Sequence, residues 1–279
     1  MNVLEKIKKI PLRLFLWIYF IISVYPLLYL IFYSLKDNNE IYFTNPFGFP
    51  HILRFENYIK GFKAFNVLLF FRNSVVVTSV ACIFVLIFSL TFAYSVSRMN
   101  WRYAKVACTY IILGIFIPIQ VIMIPLAILN RDIKLTGSYF ALILPYIAFN
   151  LSFSSLIFYG FFRTIPNEIE ESAFIDGAGV FRTFVQIIVP LVKPAIGTAV
   201  TFAFINIWNE YPMALVLLSN LKLRTLPVGL ATSFTGAFAT EWGPMGAAMV
   251  VACIPTIIIY IFLSEQVEKA MTVGSAVKG

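Results

Sequence analysis

NSVVVTSVACIFVLIFSLTFAYSVS, residues 73–97, lies between Arg72 and Arg98 and holds no charged side chain. About 20 mostly apolar residues cross the ~30 Å hydrocarbon layer as a helix, so this run is long enough to span a membrane. Similar charge-free intervals lie between Arg13 and Lys36, Lys105 and Arg131, Lys134 and Arg163, and Glu241 and Glu265. The interval from Lys193 to Glu210 is shorter, but residues 187–192 extend it backwards, and a lysine near a span's end can snorkel to the interface. The pattern predicts an all-α membrane protein with six spans at approximately 12–35, 72–97, 106–129, 139–162, 186–210 and 245–264. The composition of all 279 residues agrees, at 60% hydrophobic and only 12% charged. Mean hydropathy is +0.88. A soluble domain carries about a quarter charged residues.

An even number of spans puts both termini on one side. If that side is the cytoplasm, the inner segments carry twelve basic residues and the outer segments nine. The bias is sharpest in residues 98–105, where Arg98, Arg102 and Lys105 fall within eight positions. Cytoplasmic termini follow from the excess of basic residues in inner loops. The N-terminus is basic and then apolar, but the apolar run exceeds 20 residues and leads into YSLKDN without a small-residue cleavage site. It reads as an uncleaved first span. The expected organisation is one membrane domain over 1–279. It consists of a first span at 12–35, an extracellular loop at 36–71, a five-span core at 72–264 with a cytoplasmic loop at 163–186, and a cytoplasmic tail at 265–279. The second long outer segment is 211–244.

Several classes of function are disfavoured. The formal charge of +8 is scattered among short loops rather than gathered with exposed aromatics, so nucleic acid is not an expected partner. Cys82, Cys108 and Cys253 lie in apolar runs, and His51 is the sole histidine, which leaves neither a disulfide framework nor a metal cluster. There is no GxxxxGK[ST], GxSxG or HExxH. The spans hold almost no ionisable groups for a proton or ion pathway. No residue is assigned a catalytic role, and if the protein moves a solute the energy would come from a partner.

The polar residues concentrate in 163–190, between the fourth and fifth spans. Pro166 suits the first turn of a helix. Glu168, Glu170 and Glu171 would complement its positive end. Gly177 and Gly179 would break it, because glycine adopts the left-handed conformation without steric cost. A second helical stretch, 180–188, would then run towards Pro190. The expected form is helix, sharp turn, helix, with Ile169, Ala173 and Phe174 packed on the bundle and Glu171 and Asp176 turned to a partner.

The spacing Glu171-Ser172-Ala173, then Gly177, then Ile187, Val189 and Pro190 resembles the EAA loop of ABC importer permeases. That pattern reads E-A-A, three residues, G, nine residues, I-x-L-P. Ser172 and Val189 depart from it only conservatively. The segment AYSVSRMNWRYAK (93–105) is similar to the same family's A-Y-A-x-A-R segment, and WNEYPMALVLLS (208–219), TLPVGL (225–230) and AVKG (276–279) are similar to its maltose-type carbohydrate branch. The resemblance implies a type I importer permease, with Glu171, Ser172, Ala173, Asp176, Gly177, Ile187 and Pro190 forming the loop that docks on an ATPase. It further implies a second permease, two ATPase copies that bind ATP and Mg, an extracellular sugar-binding protein, and a sugar cargo, with no cofactor on this chain. Val277, Lys278 and Gly279 would reach the ATPase subunits. A polyol or glycerol phosphate ester is the alternative cargo, and an ATP-independent secondary transporter is the alternative class.

Asn150, Trp208, Asn209 and Glu210 form a second group of candidates. Aromatic, amide and carboxylate side chains together suit a sugar pathway. An interfacial aromatic anchor accounts for the same cluster, and both readings stand at this stage. Pro118, Gln120, Pro125 and Pro145 interrupt the third and fourth spans and would bend them.

Overall fold

The computed structural model describes residues 10–64, 66–233 and 241–276, with the side chains of 10, 64 and 266–276 left aside. All regular structure among these residues is helical. Four helices are long and apolar enough to cross a membrane: α1 (Ile10–Ser34), α3 (Val67–Arg98), α6 (Phe140–Phe162) and the first part of α12 (Trp242–Ala276). The short helix α2 (Glu56–Ala64) lies between α1 and α3.

The third and fifth expected spans are bent pairs, which bring the number of spans to six if each pair counts as one. Helix α4 (Ala104–Leu113) ends in a 3-10 turn, and the chain then turns by 101° into α5 (Ile119–Asp132). Pro118 causes this break. A proline forces its predecessor out of the helical region, and Ile117 is extended at φ −83°, ψ 111°. The second pair, residues 180–191 and α9 (Lys193–Trp208), bends by 77° at Val192. Pro194 has no N–H and its ring crowds the carbonyl four residues back, so the ladder cannot run straight through this point.

The chain divides into two compact units, residues 1–68 with 229–254, and residues 69–228 with 255–279. In the first, a polar knot follows α1. Lys36 is fully buried, and its Nζ donates to the carbonyls of Asn45 at 2.6 Å and Pro46 at 3.3 Å. Asn57 Nδ2 donates to the carbonyls of Ser34 and Lys36 at 2.9 and 2.8 Å. Asp37 pairs with Arg54 at 2.6 Å. Burial lowers the Lys36 pKa, and the Glu40 carboxylate opposes that shift. The start of the loop expected at 36–71 is therefore cross-tied, with Lys36 as an internal strut.

In the second unit, one apolar cluster joins Val77, Val85, Leu142, Tyr146, Ile207 and Met213. Another joins Tyr94, Phe158, Phe162, Ile188, Val192 and Ala195. Ala195, Gly197, Ala199 and Ala203 of α9 are buried, and small side chains let membrane helices approach closely. The 225–230 motif opens helix α11 (Leu226–Ser233) and is fixed at its start. Asn73 donates to the carbonyls of Lys222 and Arg224, both at 2.9 Å, and Ser74 Oγ accepts from the Leu226 N–H at 2.8 Å.

The last helix continues beyond the expected end at 264 and reaches Ala276. Nothing in the 265–276 stretch breaks a helix before Gly274, and Glu, Gln, Lys, Ala and Met favour one.

A Cβ on Gly243 would fall inside contact distance of the Lys36 carbonyl and the Asn57 amide, whereas one on Gly160 would meet nothing. Overpacking costs about 1–3 kcal/mol. Gly243→Ala is therefore expected to lower the melting midpoint in detergent by at least ~2–4 °C. Gly160→Ala should leave it unchanged or raise it.

Candidate functional site

The segment between α6 and α9 forms an elbow. Helix α7 (Glu168–Ile175) carries Glu168, Glu170 and Glu171 in its first turn, against the positive end of the backbone dipole. Its far end closes as a Schellman turn. The Ala178 N–H donates to the Ala173 carbonyl at 2.9 Å, and the Gly177 N–H to the Phe174 carbonyl at 3.0 Å. Gly177 lies at φ +82°, and no atom stands within 4 Å of where its Cβ would be. The backbone conformation, not crowding, requires glycine here. Gly179 differs from the expectation. It is extended, at φ −76° and ψ 164°, and starts the next helix, α8 (Val180–Thr183). One left-handed residue is enough to reverse the chain.

After α8, a π-helical turn at Phe184–Ile188 and a short helix at Val189–Leu191 lead to α9. Ile188 is fully buried, its neighbour Ile187 is half-buried and Pro190 is exposed. Ala173 is buried, as expected. Phe174, expected to pack on the bundle, is exposed instead. It joins Ile175, 86% exposed, and Phe181, 79% exposed, on the outside of the elbow. Glu171, Ser172 and Asp176 are exposed beside them, and Ser172 Oγ donates to the Glu168 carbonyl at 2.7 Å.

The inner side of the elbow is polar and buried, a feature that no local pattern of residues announces. Arg98, the last residue of α3, donates from Nη1 to Asn167 Oδ1 and from Nη2 to the carbonyls of Phe162 and Ile165. Its Nε lies 3.4 Å from Glu170 Oε1, with the two side chains 6% and 11% exposed. Tyr94, one turn earlier on α3, donates to Glu170 Oε2 at 3.3 Å. The Tyr94 ring packs against Phe162 and Phe184, with centroids 5.8 and 4.7 Å apart. Removing one partner of a buried pair costs about 3–5 kcal/mol, because the other charge is stranded. The turn between the end of α6 and α7 brings Glu170 to Arg98.

The second group of candidates divides. Asn150 and Glu210 line a cavity of about 370 Å³ together with Tyr146, Phe149, Phe153 and Asn206. Ile117 and Ile119, which flank the Pro118 break, also line it. Trp208 and Asn209 do not. Trp208 is buried, stacked on Phe204 with ring centroids 5.5 Å apart, and Asn209 Nδ2 donates to the Ile205 carbonyl of its own helix. Glu210 holds the turn after α9. Oε1 accepts from the Met213 N–H at 2.6 Å, and Oε2 accepts from the Ala214 N–H at 2.9 Å and the Tyr146 hydroxyl at 2.6 Å. Its carboxylate thus caps α10 (Pro212–Leu217) and braces α6 at the cavity wall. Val277, Lys278 and Gly279 lie outside the described residues.

A family model described as binding-protein-dependent transport system inner membrane component matches residues 85–273. The chain is 35% identical over 269 residues to a putative ABC transporter permease protein, ORF2, of Caldicellulosiruptor sp., covering 95% of this chain and 96% of the relative. It is 33% identical over 252 residues to the sulfoquinovosyl glycerol transport system permease protein SmoH of Agrobacterium fabrum, covering 90% and 88%. A chain of a bacterial ABC transporter involved in the import of the acidic polysaccharide alginate superposes with a TM-score of 0.81, at 26% identity, over 95% of this chain and 98% of that one.

The left-handed residue gives a specific test. An L side chain at Gly177 costs about 1–2 kcal/mol. Gly177→Ala is expected to raise protease sensitivity within 163–190 and lower the melting midpoint, Gly177→Asn less so, and Gly179→Ala hardly at all. Equal effects at 177 and 179 would contradict the turn geometry.

Proposed function

The chain belongs to the family of binding-protein-dependent transport system inner membrane components, and from that premise we propose that it is one permease of an ATP-driven sugar importer. It is a multi-pass cell-membrane protein and a transporter subunit rather than an enzyme. In this reading the elbow faces the cytoplasm and docks on an ATPase subunit. A second permease completes the pathway, and an extracellular binding protein delivers the cargo. ATP and Mg bind to the two ATPase copies. Their closure pulls the elbows together and turns the bundle from inward-open to outward-open. The cargo is a sugar, most consistent with an oligosaccharide or glycoside.

One observation carries the docking assignment: Ile175 and Phe181 stand exposed on a tight Schellman turn, beside the carboxylates of Glu171 and Asp176. Large apolar side chains clustered with charges at a membrane edge fit a protein surface rather than water or lipid tails. Ser172, Ala173 and Gly177 set the shape of the turn, while Ile187 and Pro190 connect it to α9. Sugar chemistry is supported by the cavity, where Asn150, Asn206, Glu210 and Tyr146 offer polar atoms among Phe149 and Phe153. Saccharides present hydroxyls at their edges and C–H faces that pack on aromatic rings.

Two results follow. Glu171→Lys or Gly177→Pro should abolish sugar uptake by reconstituted vesicles and weaken ATPase co-purification, with membrane insertion intact; normal uptake in both would reject the docking assignment. Asn150→Ala should reduce uptake several-fold while ATPase co-purification stays unchanged. Unaltered uptake would assign the Asn150 and Glu210 wall to helix packing alone.

A further inference from the structure

Arg98 meets three hydrogen-bond acceptors and one carboxylate at once. Two are backbone carbonyls, Phe162 at the end of α6 and Ile165 just beyond it. The others are the Asn167 side chain, immediately before α7, and the Glu170 carboxylate within α7. The last carbonyls of a helix have no partner within it, and a basic side chain commonly satisfies them. Here one side chain does so and also holds the next helix. Guanidinium suits the task because its five N–H donors are fixed in a planar fork, whereas an ammonium group is a compact point charge. Tyr94 adds a second tie to Glu170, and its ring packs against Phe162 before the elbow and Phe184 after it. Residues 163–167 therefore cannot hinge freely, since any rotation of α7 away from α6 breaks contacts at both ends.

We propose that Arg98 is a positioning residue that makes the end of α3, the end of α6 and helix α7 one rigid body. A force on the elbow then reaches two membrane helices directly instead of being absorbed in the connecting loop. The inference rests on the docking reading for the source of the force, but its geometry concerns this chain alone.

The test uses the assembled transporter in vesicles, with Cys82, Cys108 and Cys253 replaced by alanine. Exposed Asn100 and Glu168 become cysteines on either side of the clamp and are joined by a short bismaleimide. If the segments move as one, the bridged transporter keeps uptake within twofold of the unbridged form, and loss of uptake on bridging overturns the proposal. In parallel, Arg98→Ala should retain ATP hydrolysis within twofold while uptake falls at least tenfold, an uncoupling that a purely structural role would not produce. Wild-type uptake in Arg98→Ala, or loss of hydrolysis together with uptake, overturns it. Gly177→Pro serves as the control for docking. Normal uptake in both Gly177→Pro and Glu171→Lys rejects the docking reading, whereas failure of the bridged or Arg98→Ala arms with Gly177→Pro inactive rejects the clamp alone.

Discussion

A guanidinium buried among helix-end carbonyls and a carboxylate is the interaction on which the elbow between α6 and α9 depends. At the membrane edge the dielectric falls, and an unpaired charge or carbonyl becomes costly. Arg98 therefore stays inside only because Phe162, Ile165, Asn167 and Glu170 all accept from or pair with it. The elbow between α6 and α9 inherits its direction from those bonds. Gly177 then reverses the chain, and Tyr94 fills the space between the two limbs.

The same requirement explains the bent helices. Within hydrocarbon, a break in the helical ladder survives only where protein or a polar cavity receives the freed groups. The break at Pro118 flanks the cavity lined by Tyr146, Asn150 and Glu210, and the Val192 bend lies in the cluster with Phe162 and Ile188. Helix α1 is the opposite case. Trp17, Phe15 and Ile22 are exposed along it, as suits a helix surrounded by lipid or by another permease.

Much of this was legible in the sequence because it follows from local chemistry. Charge-free runs located the spans, the acidic first turn placed α7, and Gly177 placed the reversal. What could not be read depended on distant pairs. Nothing in Arg98 alone predicts Glu170 as its partner, 72 residues on. Glu210 looked like a site residue, and only the fold reveals that its carboxylate also caps α10. Gly179 was misjudged because glycine permits a left-handed turn without requiring one. Nothing in the sequence marks Lys36 as buried, because a lysine after a span usually reaches for water, and only the fold shows the carbonyls that replace it. Helix α12 ran past its expected end because polar residues stop a span without stopping a helix.

The central claim is that the elbow carries the contact with the energy-supplying subunit. A photoreactive amino acid at Ile175, activated in native membranes, tests this most directly, with a second at exposed Trp17 on α1 as reference. The account predicts an ATPase adduct from position 175 and none from position 17. Lipid adducts alone at 175, in membranes that retain the ATPase, would contradict it.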